Sequence, residues 1–331
     1  PDMEFSLIKN QGVLVRALQI AAAGRHHLLA FGPPGCGKTL ALGRFPALLP
    51  CLTGAEARPV SRIHSLAGSA QCAEGLIRIP PFRTPHQSTS LEGMTGGGPH
   101  CSPGEISLAH NGALFLDEVL EFKPHVLQSL RVPLETGTVS VSRAGRSAVY
   151  PARFVLLAAA NPCPCGNFGS RGKICLCSPR AVEQYWKKFS GPLLDRIDIR
   201  APVFHPQDRG EKEPRYSAGT MGTAELRRDI ARAAAAQRSR QGGYNGAMGP
   251  EDIRRHCALD RDAADALEEA CLLYGFSSRG ASSCRKVART IADMAGSPVI
   301  TRDHIAEAVF FRKSEGALAY DGGWDYTADR H

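Results

Sequence analysis

An α/β fold on a parallel central sheet, followed by a smaller all-helical domain, is what this 331-residue chain predicts. Three observations carry it. Apolar runs of strand length alternate with helix-like patterns over residues 11–161. Three of those runs end in residues suited to phosphate, metal or water, as the carboxyl ends of parallel strands often do. After about residue 205 only helical periodicity remains.

Residues 11–24 place Val13, Leu14, Ala17, Leu18 and Ala21 on one helical face and stop at a glycine. Residues 27–31 read as a short buried strand. There follows "AFGPPGCGKTLAL", and Gly32-Pro33-Pro34-Gly35-Cys36-Gly37-Lys38-Thr39 fits G-x-x-x-x-G-K-[ST] at every position. Glycines let a backbone wrap so that its N–H groups converge on phosphate oxygens. Lys38 then reaches the β- and γ-phosphates of ATP, the Thr39 hydroxyl binds Mg²⁺, and Leu40 closes the segment. Residues 39–49 are apolar at helical spacing, with Pro46 set to shorten that helix.

Residues 50–112 are rich in Gly, Pro, Ser and His and predict a long irregular insert. Residues 112–119, "GALFLDEV", predict a buried strand ending in Asp117 and Glu118. Asp117 is placed to hold Mg²⁺ and Glu118 to deprotonate an attacking water. Residues 138–154 alternate about Ala144-Gly145 and predict a β-hairpin whose tip is flanked by Arg143 and Arg146. Residues 154–161 predict a strand ending at Asn161, which suits a hydrogen bond to the γ-phosphate or the water. Residues 206–222 read as a linker, and helical patterns follow at 223–240, 260–274, 282–295 and 301–312, with Thr301 as an N-cap. The expected division is an ATPase domain over 1–205, a linker over 206–222, a helical domain over 223–315 and a flexible tail over 316–331.

Hydrophobic content of 43% with 22% charged residues is that of an ordinary soluble protein, and no run approaches the 18 apolar residues of a membrane span. The chain starts at Pro1 without a methionine, so a fragment of a longer protein is expected. Eleven cysteines, mostly scattered in apolar segments, fit a reducing cytoplasm better than a secreted disulfide framework. The net charge is +8, and residues 131–200 alone carry eleven Lys/Arg against four acids. Such a concentration is either a solvated face or a surface for a polyanion such as DNA.

The segments "GPPGCGKT", "PGEISLAHNGALFLDEV", "LRVPLETGTVSVSRA", "PARFVLLAAANPCPCG", "SGPLLDRIDI" and "VARTIADMAG" together resemble the magnesium-chelatase-like AAA+ ATPases of the ComM/YifB family, over residues 11–312. The resemblance implies a P-loop AAA+ core with a helical lid, assembled as a hexamer that hydrolyses ATP and moves on DNA, branch migration in transformation being its best known role. Members normally carry a Lon-protease-like domain before this stretch. Lys38 and Thr39 then match Walker A, Asp117 and Glu118 Walker B, and Asn161 sensor 1. Arg196 in "LLDRID" matches the arginine finger, the alternative being a salt bridge to Asp195 or Asp198. Arg279 is the choice for sensor 2, although Ser283 stands where the family has an arginine and Arg285 or Lys286 are substitutes. Asn10-Gln11 replaces the family's "GQ", and His86-Gln87 its paired histidines.

Cys163, Cys165, Cys175 and Cys177 form C-x-C, nine residues, C-x-C. Four thiolates on a Pro/Gly loop suit tetrahedral Zn²⁺; the alternative is four reduced thiols. Three functions compete on these grounds. They are a DNA-acting ring motor, the motor subunit of a chelatase that inserts Mg²⁺ into a porphyrin, and a non-catalytic nucleotide-binding assembly module.

Overall fold

The structure is a computed structural model and describes residues 4–8, 11–68, 75–143, 146–168, 173–203 and 221–313. The hairpin tip at 144–145, most of the 206–222 segment and the whole 316–331 segment lie outside the described residues.

Nine strands are described: β1 (Leu28–Phe31), β2 (Phe82–Arg83), β3 (Gly96–Gly97), β4 (Ser102–Pro103), β5 (Ala113–Leu116), β6 (Thr138–Arg143), β7 (Arg146–Pro151), β8 (Val155–Ala160) and β9 (Ile199–Pro202). Five form one parallel sheet in the order β2–β5–β8–β1–β9. The central strands are buried on both faces, which is why they read as continuous apolar runs. Alternate residues serve opposite layers. Leu28 and Ala30 face a core shared with the helices Gly12–Gly24, Thr223–Gln241 and Ser278–Ala295, whereas Leu29 and Phe31 face a core shared with Phe122, Val139 and Trp186. The C-terminal helices therefore close one face of the sheet, and the hairpin β6–β7 joins the other.

The glycine-rich loop follows β1 and leads into the helix Lys38–Gly43. Pro46 ends regular α structure, and the chain continues as a 3₁₀ turn over Phe45–Leu48. The hairpin forms with Arg143 opposite Arg146 in its last pair.

The insert is more regular than its composition predicts. Gly54–Leu66 is a 13-residue helix. Its start was legible in Thr53-x-x-Glu56, where each residue's side chain caps the other's backbone N–H. Its buried face is Ala57, Val60, Ile63 and His64. The insert also supplies β2, the sheet's edge strand, with Phe82 stacked on Phe115 at 6.1 Å. Further elements lay outside the sequence expectation, among them β9, beside β1, and the helices Pro179–Lys187 and Pro250–His256. The other C-terminal helices lie at Thr223–Gln241, Arg261–Tyr274, Ser278–Ala295 and Arg302–Phe310, the last begun by Thr301 as its cap. Among the described residues no helix is long and apolar enough to cross a membrane.

Candidate active site

Beyond the carboxyl ends of β1, β5 and β8 lies a cavity of about 360 Å³. Its lining draws on all three strand ends: Pro34, Gly35, Gly37, Lys38, Thr39 and Leu40 after β1, Asp117 and Glu118 after β5, and Ala159, Ala160 and Asn161 from β8. Gly32, Pro33 and Cys36 complete the loop without lining the cavity.

The loop's glycines serve different ends. Gly35 and Gly37 have φ of +81° and +79° with open space where a Cβ would stand. Gly32 instead has Val203 pressed against it: a Cβ there would lie 2.0 Å from the Val203 carbonyl oxygen. The Gly32 N–H also donates to the Ala160 carbonyl at 3.2 Å, tying the loop to β8.

Lys38 is buried, and its Nζ donates to the carbonyls of Gly32 (2.6 Å) and Pro33 (2.7 Å) and to Asn161 Oδ1 (3.2 Å). Burial lowers its pKa, while Cys36, Asp117 and Glu118 pull it back up. Asp117 Oδ1 accepts the Glu118 N–H at 3.0 Å. Glu118 has φ +47°, a left-handed conformation that a non-glycine residue adopts at a cost of about 1 kcal/mol or more. The twist starts a short 3₁₀ turn and leaves the Glu118 side chain exposed at the cavity. A lysine, two carboxylates, a hydroxyl and an amide thus meet at the rim of one cradle of backbone.

Two supports were not foreseen from sequence. Gln11, the glutamine of Asn10-Gln11, donates from its buried Nε2 to the Cys36 carbonyl at 2.8 Å. No local pattern announces a helix-cap glutamine reaching 25 residues ahead. Gly166, in the cysteine loop, abuts Pro34: a Cβ on it would come within 2.8 Å of Pro34 Cδ.

Residues 4–211 match the family described as magnesium chelatase, subunit ChlI, and residues 220–312 match its C-terminal family. The chain belongs to the magnesium chelatase ChlI family. It is 41% identical to Escherichia coli YifB over 309 residues, covering 92% of this chain and 59% of that protein. It is 40% identical to the Haemophilus influenzae competence protein ComM over 306 residues, covering 90% of this chain and 57% of ComM. The magnesium-chelatase 38 kDa subunit of Acidiphilium rubrum is 29% identical over 180 residues, 48% of this chain. The chain therefore spans less than two thirds of the length of the curated relatives it matches.

Arg196 and Arg279, expected as arginine finger and sensor 2, lie away from the cavity lining. Arg196 donates to Glu135 Oε2 at 2.6 Å and to the Pro192 carbonyl at 2.6 Å, and its buried Nε has no hydrogen-bond partner among the described residues. Arg279 reaches the same carboxylate, Glu135 Oε1, at 3.3 Å. These two arginines hold Glu135 below the ordinary carboxylate range, Arg196 most strongly. Asp195 and Asp198, the alternative partners for Arg196, are engaged elsewhere: Asp195 with Arg200 and Arg312, Asp198 with His26 and Lys286. Ser283 and Lys286 both bind Asp198. Arg279 thus meets the same carboxylate as Arg196, whereas Lys286 is engaged with Asp198.

The four cysteines also come together, with all four sulfurs within 4.8 Å of one another. Cys163 is fully buried, Cys165 is exposed, and Cys175 and Cys177 lie between. A hydrogen bond from the Asn167 N–H draws the Cys165 thiol down to about 6.

Proposed function

We propose that this chain is the ATP-hydrolysing core of a ring motor that acts on DNA. One observation carries the reading: Lys38, Thr39, Asp117, Glu118 and Asn161, far apart in sequence, line one cavity with a glycine cradle. Lys38 leaves the Gly32 and Pro33 carbonyls for the β- and γ-phosphates of ATP. Thr39 and Asp117 hold Mg²⁺, and Glu118 takes a proton from the attacking water while Asn161 orients it. The metal supplies charge neutralisation on the phosphates.

Arg196 and Arg279 do not line this cavity, so their service is to a neighbour's. A guanidinium stabilises the charge that develops on the transferring phosphoryl group. Such a division between subunits requires a homo-oligomer, and we take it to be a hexamer. Glu135 then yields both arginines to the neighbouring nucleotide on assembly.

DNA is favoured as the polymer by the basic window at residues 131–200 and by the hairpin, where Arg143 and Arg146 stand opposite each other beside the tip. Arg146 is exposed. Arginines so placed grip phosphates without reading sequence. The relative ComM is named a competence protein, which favours a DNA-handling function. The second reading, a motor for magnesium insertion, has in its favour the likeness to the 38 kDa magnesium-chelatase subunit. We also read Cys163, Cys165, Cys175 and Cys177 as ligands of one zinc ion, apart from the hydrolytic chemistry.

The test is ATP turnover with and without DNA over a range of protein and salt concentrations. Turnover should rise with protein concentration and with added DNA. Arg143→Ala with Arg146→Ala should weaken DNA binding and flatten its salt dependence while basal hydrolysis survives. Hydrolysis by a verified monomer at the full rate would remove the shared site. Hydrolysis indifferent to DNA in an assembled protein would favour the chelatase reading.

A further inference from the structure

We propose that the four-cysteine loop is a zinc-held splint for the nucleotide cavity, binding zinc so as to keep Asn161 and Pro34 in register. The inference rests on the zinc and ATP readings above and joins them.

The sulfur geometry comes first. Cys163 Sγ lies 3.4 Å from Cys165 Sγ and 3.7 Å from Cys175 Sγ, and Cys165 Sγ lies 3.7 Å from Cys175 Sγ. A tetrahedral zinc with Zn–S bonds of about 2.3 Å has edges of about 3.8 Å. A disulfide needs about 2.05 Å, so these three are separate thiols at ligand spacing, and Cys177 Sγ lies within 4.8 Å of them. Backbone N–H groups are directed at sulfur as well, with Phe168 N–H donating to Cys163 Sγ at 3.4 Å. Such donors offset the negative charge that a tetrathiolate site accumulates.

Burial supplies an independent argument. In Ile174-Cys175-Leu176-Cys177 the aliphatic side chains point outward, 80% and 89% exposed, and the cysteines point inward. Hydrophobic burial alone selects the opposite orientation, because Ile and Leu have more apolar surface to hide than Cys. Cys175 and Cys177 are half-buried against the core, and metal ligation accounts for their facing inward in place of the larger aliphatic side chains.

The connection to the cavity is short. Asn161 is two residues before Cys163, and its Oδ1 accepts from Lys38 Nζ. The intervening Pro162 carbonyl accepts the Trp186 indole N–H at 3.0 Å. After Cys165 the chain turns at Gly166, whose N–H donates to the Cys163 carbonyl at 3.0 Å with φ +76°. That turn presses on Pro34, which lines the cavity. Zinc at the four sulfurs thus fixes both ends of a bracket: Asn161 at the end of β8 and the loop at Pro34 after β1, both lining the cavity.

The experiment uses the whole chain, purified under reducing conditions without chelator. Metal is measured by mass spectrometry, and binding of a fluorescent ATP analogue is measured before and after zinc is stripped with a chelator that leaves thiols unmodified, then after zinc is returned. The expected result is about one zinc per chain, at least a fivefold loss of nucleotide affinity on stripping, and recovery of both with zinc. Cys175→Ser should lose the metal and the affinity together, and Cys51→Ser, an exposed thiol outside the cluster, should change neither. Gly166→Ala should bind nucleotide more weakly, because a Cβ there is strained at φ +76° and crowds Pro34. Protein without metal, or with iron in place of zinc, overturns the zinc site. Zinc present and released with nucleotide affinity unchanged overturns the splint alone. A zinc-loaded chain that never binds the ATP analogue overturns the nucleotide reading on which the splint depends. If the Cys175→Ser protein does not fold, the stripped and reloaded parent decides.

Discussion

The two ends of β1 carry the same kinds of side chain arranged to opposite purposes. Past its carboxyl end, Lys38, Asp117 and Asn161 surround an open cavity, and the neighbouring Glu118 is held in a strained backbone conformation. Before its amino end, Lys286, Asp198 and Asn245 belong to a sealed network. There Asp198 accepts from Ser283 at 2.6 Å, from Lys286 and from His26, whose Nδ1 lies 2.9 Å away. His26 Nε2 meets Thr290 Oγ1 at 2.7 Å, and Asn245 donates to Thr290 and to Asp293, which is also paired with Arg240 and Arg289. The sealed network joins the sheet to the C-terminal helices. Its aspartates have every oxygen engaged, so it has no capacity left for a ligand. The cavity keeps polar groups in arrangements that a phosphate or a metal can displace. Identical chemistry makes a site where its partners are exchangeable and a joint where they are not.

The comparison is tested most severely at the cavity. Glu118→Gln and Lys38→Ala should each lower ATP turnover by on the order of 100-fold or more, while the unfolding midpoint in urea scarcely moves. Glu118→Gln should still bind nucleotide. A large loss of stability in either variant would mean that the cavity residues are joints too.

The joint should answer in the reverse sense. Asp198→Asn breaks a buried ion pair and should cost about 3–5 kcal/mol of folding stability by urea titration, with turnover per folded molecule little altered. The depressed pKa of Asp198 comes from Lys286 and His26 overcoming the effect of burial. A carboxylate depressed in the folded state adds stability above the usual carboxylate range, and that stability is lost as the pH falls through it.

A smaller effect sharpens the picture near neutrality. His27 Nδ1 accepts the Leu156 N–H at 3.1 Å, and His110 Nδ1 accepts the Arg153 N–H at 3.1 Å. Burial lowers both histidines to about 4. Their folded pKa lies below the ordinary 6.5, so the unfolded chain binds more protons between the two values. Stability should therefore be full above pH 6.5 and decline towards pH 4, by at most about 1.4 kcal/mol per pH unit for each histidine. Equal urea midpoints at pH 7 and pH 5 would contradict this.

The site was far more legible in the sequence than the joint. Gly32 to Thr39 announce themselves because phosphate binding demands particular residues at fixed local spacing, and "FLDE" and "AAAN" mark strands that end in polar groups. β1, β5 and β8 were readable for the same reason: each is a continuous apolar run. β9 was hidden because only alternate residues of "IRAP" are fully buried, and β2 because a two-residue edge strand has no period to detect. The joint had no signal at all. His26, Asp198, Asn245 and Lys286 are single polar residues in unrelated segments, and only the fold makes them neighbours. Glu118's left-handed backbone is equally silent, since nothing in "LDEV" requires a positive φ.

The contact between Gly32 and Val203 changes what the first glycine of the motif can be taken to diagnose. Gly35 and Gly37 are required by backbone angles that shape the cradle, whereas Gly32 is required by the carbonyl of a neighbouring strand end. On the proposed reading, a descendant of this chain that gave up ATP would be released from the demands on Lys38 and Glu118 but not from this one. Its first glycine would persist as a record of how the sheet is closed, long after the loop had ceased to hold a phosphate. A surviving Gly at this position is therefore testimony about architecture, and only the lysine and the two acids testify about chemistry.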